Sequence, residues 1–295
     1  MNDDYMRRVA RTAYGPAFAR TFTRIPLAHE TRAELSFMIK KSDRLVQENV
    51  MEPRLIPYFE ARYLMTDHII KEAMGRDNLI HQIVEIAAGL SFRGALMCDA
   101  CEQLIYRELD QLSMVTLKKS IASCLAKYSD WHSGLMHCSN WMIWPGNALD
   151  RNTFSNGLFS DFYRRRKLIF VNEGLLVYLT HDMIAQLGGL IHARLSKHGG
   201  GLWITPDIML RRKFRIAGSK SRRAWYRSVG RSLEQNAFDD VESAKLFYEN
   251  IGFSVTVRSL TEIADSLVSP LRLGLLPKEV CKALTAQPYF VMKPR

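Results

Sequence analysis

The chain has 295 residues, of which 47% are hydrophobic and 24% charged, a balance ordinary for a globular protein and long enough to bury a sizeable core. No stretch supplies the roughly 20 uninterrupted apolar residues of a membrane helix, and Met1-Asn2-Asp3-Asp4 leads into no apolar core of a secretory signal. Five scattered cysteines argue against a disulfide framework and for a reducing, cytoplasmic setting, while 41 basic against 30 acidic residues give a net charge of +11 that suits an acidic partner.

In chain order, Met1 to about Leu27 reads as a helical arm interrupted at Gly15-Pro16. Thr31 to about Val50 reads as a helix with Thr31 as cap and Glu34 completing the box. Pro53 and Pro57 open another, with Tyr58, Phe59, Tyr63, Leu64, Ile69 and Ile70 on a broad apolar face and Gly75 at its end. This preface, residues 1–80, reads as a helical lid packed on a core domain of residues 81–295.

From His81 short apolar runs alternate with helical stretches. Strands are expected at Ile83–Ala87, Leu104–Leu109, Gly134–Asn140, Leu168–Glu173, Leu202–Pro206, Phe253–Arg258 and Tyr289–Lys293. Helices are expected at Arg93–Cys101, Leu112–Lys127, Thr153–Tyr163, Thr180–Lys197, Ala237–Asn250 and Pro277–Thr285. The alternation predicts an α/β fold, a parallel sheet with helices on both faces. No long crossover helix separates the last two strands, so the final one is expected to enter antiparallel. Between Ile208 and Leu233 nine basic residues occur with no acidic one. This stretch reads as an insertion, 208–233, over the ligand end of the sheet, its plain alternative being a solvated helix face.

The organising stretch is Ile83 to Gly94. Ile83, Val84 and Ile86 suit a buried parallel strand, which breaks into Ala87-Ala88-Gly89, a turn that lets a ligand approach the backbone. Ser91 can cap the following helix, and Gly94 lets that helix pack tightly on the sheet. The turn lacks the Gly-x-Gly-x-x-Gly of a dinucleotide site and the lysine of a P-loop, so a ligand without phosphates fits better; S-adenosylmethionine is such a ligand. Glu108 and Asp110 follow Gly89 by 19 and 21 residues. Asp110, at the end of the second strand, can accept hydrogen bonds from both ribose hydroxyls; otherwise it only caps the next helix. Glu173 ends the fourth strand, where a carboxylate is usually functional.

These residues carry a family resemblance. Glu85-Ile-Ala-Ala-Gly-Leu-Ser-Phe-Arg-Gly, then Glu108-Leu-Asp110, then Glu173-Gly-Leu-Leu-Val-Tyr178-Leu resemble the leucine carboxyl methyltransferase family, and its bacterial polyketide-type (tetracenomycin-synthesis-like) O-methyltransferase branch in particular. Glu60-Ala-Arg62-Tyr, Asn147-Ala-Leu-Asp150 and Leu246-Phe-Tyr-Glu-Asn-Ile-Gly-Phe253 extend the match over most of the chain. Phe92, where a proline is common, and Gln111-Leu112, for a frequent Leu-Pro, depart from the branch.

The resemblance implies a Rossmann-like class I methyltransferase sheet that binds S-adenosylmethionine. Arg62 would pair with the methionine carboxylate. The backbone around Glu85, Ala87 and Gly89 would pass under the methionine portion, and Asp110 would hold the ribose. Asn147, Ala148 and Leu149 would border the adenine, and Glu173 would face the amino group or the substrate channel. Tyr178, Arg211 and Arg215 are the candidate substrate contacts.

Methyl transfer needs alignment and exclusion of water. A carboxylate acceptor is already ionised at neutral pH, whereas a hydroxyl needs a base, most often histidine. No clear Asp–His pairing is visible, so the expected reaction is O-methylation of a carboxylate or acidic hydroxyl of a small, polyketide-like molecule, with no catalytic base nominated. Cys98-Asp-Ala-Cys101 is too weak a signal for a metal. Two rivals remain: a nucleic-acid methyltransferase, favoured by charge but lacking an Asn/Asp-Pro-Pro-aromatic block, and a non-catalytic protein of this fold that binds nucleic acid or an acidic partner through the basic insertion.

Overall fold

Hydrophobic side chains that alternate in direction yet are buried on both sides build the centre of the molecule. In the computed structural model, which describes residues 8–41, 51–154, 157–211, 229, 234–285 and 287–295, Leu168 and Phe170 of the fourth strand face one apolar cluster. Ile169 and Val171 face the other, and all four are fully buried. Two such faces demand cover on both sides.

The sheet comprises β1 (Ile80–Ile86), β2 (Ile105–Asp110), β3 (Trp141–Pro145), β4 (Lys167–Asn172), β5 (Gly201–Thr205), β6 (Phe253–Ser259) and β7 (Pro288–Pro294). Its spatial order is β3-β2-β1-β4-β5-β7-β6. The first five strands are parallel, and β7 runs antiparallel to both β5 and β6, as expected from the missing crossover helix. The order reverses between β1 and β4, the place where open α/β sheets bind ligands beyond the strands' carboxyl ends.

Helices α1 (Tyr14–Arg20), α2 (Ala28–Met38) and α3 (Ile56–Arg76) share one apolar cluster with α4 (Arg93–Ala100), α5 (Leu112–Leu125), α6 (Asp130–Met136) and the β1 face that carries Ile83. Helices α7 (His181–Lys197) and α8 (Val241–Asn250) cover the opposite face, and the short α9 (Ser269–Arg272) and α10 (Pro277–Thr285) lie against α3. Gly94 explains how closely α4 sits: a Cβ there would lie 2.6 Å from Tyr106 Cδ1 and 2.7 Å from Trp141 Cδ1.

Several expectations are corrected. Of the residues expected as the third strand, Gly134–Asn140, the first three finish α6, whose start the Ser129 side chain caps by accepting from the His132 N–H, and the rest form the turn into β3. The strand is the next apolar run, where Trp141 and Ile143 turn inward. Thr153–Tyr163 keeps only a short 3-10 turn, Gly157–Phe159, among its described residues. Its apolar spacing mimics a helix, but Phe154, Leu158, Phe159 and Phe162 enter the core as separate knobs.

Helix α1 runs straight through Gly15-Pro16, since a proline in the first turn gives up no helical hydrogen bond. Helix α2 starts at Ala28, after Leu27 adopts φ 63°, so Thr31 is buried inside it rather than capping it. Its last residue is Met38, and 42–50 lie outside the described residues. Helix α3 continues past Gly75 to Arg76. Helix α8 begins at Val241, not Ala237, because Asp240 and Ser243 form a reciprocal capping box there. Most of the basic stretch 208–233 also lies outside the described residues.

Candidate functional site

At the carboxyl end of β1 the chain turns through two left-handed residues, Ala87 (φ 56°) and Gly89 (φ 54°). For alanine this region is strained, by roughly 1–2 kcal/mol, so the surroundings must hold it. They do: the Ala87 N–H donates to Leu109 O at 2.7 Å, and the Gly89 N–H donates to Asp110 Oδ2 at 2.8 Å. Asp110 Oδ1 accepts the Gln111 N–H at 2.7 Å. Each carboxylate oxygen therefore keeps a lone pair for a ligand hydroxyl. Burial pushes the Asp110 carboxyl up, opposed by those two N–H donors. A side chain at Gly89 would meet Ala13 Cβ at 3.4 Å, so the residue preceding α1 roofs the turn.

Beside this turn lies a network of buried charge. Arg93, whose side chain is 1% exposed, reaches Asp67 Oδ1 at 2.7 Å through Nε, Glu85 Oε1 at 2.5 Å through Nη1 and Glu173 Oε1 at 2.5 Å through Nη2. The Tyr63 ring lies 4.1 Å from its guanidinium, and the Tyr106 hydroxyl donates to the other Glu85 oxygen at 2.7 Å. Thr66 Oγ1 donates to Glu173 Oε1 at 3.0 Å and pairs with the Tyr289 hydroxyl at 2.6 Å. Burial alone would raise the Glu173 pKa, but Arg93 and Arg62 outweigh it and hold the carboxyl below its ordinary range. Asp67 goes the other way: burial lifts it to about 6 despite Arg93.

Arg62 is held more loosely. Its Nη2 stands 3.4 Å from Asp207 Oδ1, and its Nε stands 3.7 Å from Glu173 Oε2, too far for a hydrogen bond. That Nε is buried without a hydrogen-bond partner. Asp207, fully buried on its side chain, accepts the Asn172 Nδ2 (2.8 Å) and the N–H groups of Gly174 (2.7 Å), Leu175 (2.8 Å) and Leu176 (3.2 Å). It thereby fixes the turn after β4 from which Glu173 projects.

Asp67, Glu85, Glu173 and Asp207 outnumber Arg20, Arg62 and Arg93 by one, leaving surplus negative charge. S-adenosylmethionine carries a sulfonium, an ammonium and a carboxylate, a net single positive charge. The residues fit that group: surplus carboxylate for the cationic centres, and an under-bonded guanidinium edge on Arg62 for the one anion.

The structure gathers Arg62, Glu85, Ala87, Gly89, Asp110 and Glu173 around one end of the sheet. The Gly146 N–H donates to Asp110 O at 2.9 Å, bringing Asn147, Ala148 and Leu149 alongside Asp110; Asn147 is exposed, and its Oδ1 accepts the Leu149 N–H at 3.0 Å. Glu85 is 2% exposed and already committed to Arg93 and Tyr106. Tyr178 is 5% exposed, its hydroxyl 2.7 Å from Thr12 Oγ1, which ties the N-terminal arm to the turn after β4. Arg211 is not brought into the network: it forms a half-exposed pair with Asp239 at 2.7 Å. Arg215 lies outside the described residues.

Arg93, Asp67 and Asp207 were not among the expected site residues. The rule that flags Asp110 and Glu173, a carboxylate just past a strand's carboxyl end, also flags Asp207. Arg93 sits within the organising motif, whereas Asp67, on a helix, gives no sequence signal. Among the described residues no three His, Cys, Asp or Glu side chains gather to hold a metal ion.

The profile of the leucine carboxyl methyltransferase family matches residues 2–191. No curated protein is recognisably similar in sequence. Among solved structures, a DUF574 family protein from Streptomyces avermitilis MA-4680 superposes with a TM-score of 0.56 at 9% identity, covering 95% of this chain and 96% of that one. A candidate methyltransferase from Thermobifida fusca YX gives 0.51 at 12% identity, over 87% and 89% of the two chains. An O-methyltransferase family protein from Burkholderia thailandensis gives 0.47 at 13% identity over 91% of this chain, which spans 61% of that protein's length. The first two establish the fold, a class I methyltransferase sheet.

Proposed function

The chain belongs to the leucine carboxyl methyltransferase family of S-adenosylmethionine-dependent O-methyltransferases, and from that premise we propose that it methylates a carboxylate of a small acidic molecule, yielding a methyl ester. One observation carries the choice of acceptor. All eight histidines of the sequence are among the described residues, and none contacts Arg62, Arg93, Glu173 or Asp207. His181 faces Asn236 O at 3.2 Å, His198 faces Tyr163 O at 3.1 Å, and His68 pairs with Glu72. Glu173, pinned by Arg93 and held ionised, is a poor proton acceptor. With no histidine beside these groups and Glu173 committed to Arg93, the site suits a nucleophile that arrives ionised.

When bound, S-adenosylmethionine supplies a methyl group on a good leaving group, so the protein's task is alignment. In this reading Arg62 binds the methionine carboxylate, and Glu173, kept ionised by Arg93, takes the ammonium. Asp110 accepts both ribose hydroxyls while it holds the Gly89 N–H. The N-terminal arm, tied down through Thr12 and Tyr178, excludes water from the reacting atoms.

The test is methyl transfer from methyl-labelled S-adenosylmethionine to a panel of aromatic and aliphatic carboxylic acids and matched phenols. Product that releases volatile methanol in mild alkali is an ester and supports the reading; alkali-stable label is an ether. The ether result favours the second reading, a hydroxyl acceptor with Asp67 as base. Burial lifts its carboxyl to about 6, near neutrality. That outcome predicts a rate that rises with pH through about 6 and collapses in Asp67→Asn.

A further inference from the structure

Glu108 stands behind Asp110 on the same face of β2, separated from it by the two-residue period of a strand. It is fully buried and belongs to a second knot of charge, apart from the Arg62–Arg93 network. Its Oε1 accepts the Trp141 Nε1–H at 2.9 Å, and its Oε2 accepts the ammonium of Lys118 from α5. Lys118 is 1% exposed, and its Nζ lies 5.2 Å from the centre of the Phe92 ring.

Stability does not account for this pair. Lys118 shares the buried side of α5 with the apolar Met114, Val115, Ile121 and Ala122. Well-packed apolar residues of similar size commonly serve a core as well as a buried ion pair or better, because both ions lose their hydration. What they cannot supply is the second bond of the ammonium, which donates to Ser91 O. Helix α4 begins at Arg93, and the first carbonyl it takes up is Phe92 O, which accepts the Leu96 N–H at 3.1 Å. The Ser91 carbonyl lies one residue too early for the helix to satisfy it, and Lys118 does so instead.

The turn from Ala87 to Ser91 is thereby fastened to three successive residues of β2. The Ala87 N–H donates to Leu109 O, the Gly89 N–H donates to Asp110 Oδ2, and Ser91 O is tied through Lys118 to Glu108. Lys118 also acts on Asp110 through space. Burial pushes the Asp110 carboxyl up, and the Lys118 charge joins the Gly89 and Gln111 N–H donors in opposing that rise.

We propose that Lys118 is a positioning residue for the cofactor: anchored on Glu108, it pins the Ser91 carbonyl and so holds the Gly89 N–H against Asp110, orienting that carboxylate for the ribose. The assignment rests on the reading of Asp110 as the ribose contact. Neither Lys118 nor Glu108 touches the cofactor in it, and their effect passes through Asp110.

The double variant Lys118→Met/Glu108→Gln removes both charges, keeps an acceptor for Trp141 and leaves no unpaired ion in the core, so its thermal midpoint should stay near that of the unaltered chain. In calorimetric titration its affinity for S-adenosylhomocysteine should nonetheless fall about tenfold, and that for methylthioadenosine, which shares the ribose, by the same factor. Lys118→Met alone should show the same loss, its Glu108 carboxyl taking up a proton because burial lifts it; it gives the reading if the double variant does not fold. Combination with Asp110→Ala is the decisive measurement. Acting through Asp110, the Lys118 and Glu108 changes should weaken binding by no more than about twofold beyond Asp110→Ala, whereas independent effects would multiply to about a hundredfold loss. Multiplied losses overturn the route through Asp110. Unchanged affinity in the Lys118 variants, with Asp110→Ala weakened, reduces the pair to core packing and leaves the ribose contact standing. Unchanged affinity in Asp110→Ala removes the ribose contact and the role of Lys118 with it.

Discussion

Replacing Arg93 with methionine removes one cation from three carboxylates at once, and the size and pH dependence of the damage can be worked from the geometry. The guanidinium is 1% exposed and lies within 2.7 Å of Asp67 and 2.5 Å of both Glu85 and Glu173. A surface pair would be worth about 0–1 kcal/mol, but deleting one partner of a buried ion pair costs about 3–5 kcal/mol. Thr66 and Arg62 beside Glu173, and the Tyr106 hydroxyl on Glu85, keep the loss within that range rather than above it.

The sign of the pH effect follows from which way each carboxyl is shifted. In the native protein burial raises Glu173, but Arg93 and Arg62 hold it below its ordinary range. Its stabilising contribution is therefore present above the unfolded-state value and lost as pH falls through the depressed one. Without Arg93, burial pushes the Asp67 and Glu173 carboxyls above their unfolded values. The penalty then stands at high pH and fades as they take up protons. Urea unfolding at pH 8.0 should show Arg93→Met destabilised by about 3–5 kcal/mol, and at pH 5.5 by less than half of that. A loss below about 1 kcal/mol, or an equal loss at both pH values, refutes the claim that Arg93 acts by neutralising this cluster.

Asp110→Ala should weaken S-adenosylhomocysteine at least tenfold in calorimetric titration. Two lost hydrogen bonds to a charged acceptor are worth at least about 1.5 kcal/mol, and unchanged affinity would remove Asp110 from the ribose. Arg62→Ala should reduce, by about tenfold, the preference for S-adenosylhomocysteine over methylthioadenosine, which lacks the amino-acid portion, the remainder resting on Glu173; an undiminished preference would separate Arg62 from the carboxylate. Gly94→Ala should destabilise the fold by about 1–3 kcal/mol in the same urea assay, because the new methyl meets Tyr106 at 2.6 Å and Trp141 at 2.7 Å. A neutral outcome would mean that α4 can slide away from β2 without loss.

Six of the seven strands were legible in the sequence because short, doubly buried apolar runs have few other uses. The third was misplaced by the Gly134 break. Only the Ser129 cap, at a helix start that apolar patterning does not mark, shows that a further helical turn precedes Trp141. The same limit produced the false helix at Thr153–Tyr163, where helical spacing of Phe154, Leu158, Phe159 and Phe162 reflects burial from an irregular segment.

What the sequence determined by itself is local: a strand ending in Ala87-Ala88-Gly89, carboxylates at the ends of β2 and β4, and a glycine spaced to dock α4. Each depends on neighbours within a few residues, where backbone preference and periodicity act. The charge network was decided only by tertiary structure. Arg93 meets Asp67 26 residues back and Glu173 80 residues ahead, and Asp207 closes on Gly174 across 33. A buried cation accepts any carboxylate that the fold delivers, so the sequence leaves its partners open. Sheet order, by setting β1 beside β4 with the middle of α3 and the end of β5 nearby, selects which carboxylates arrive.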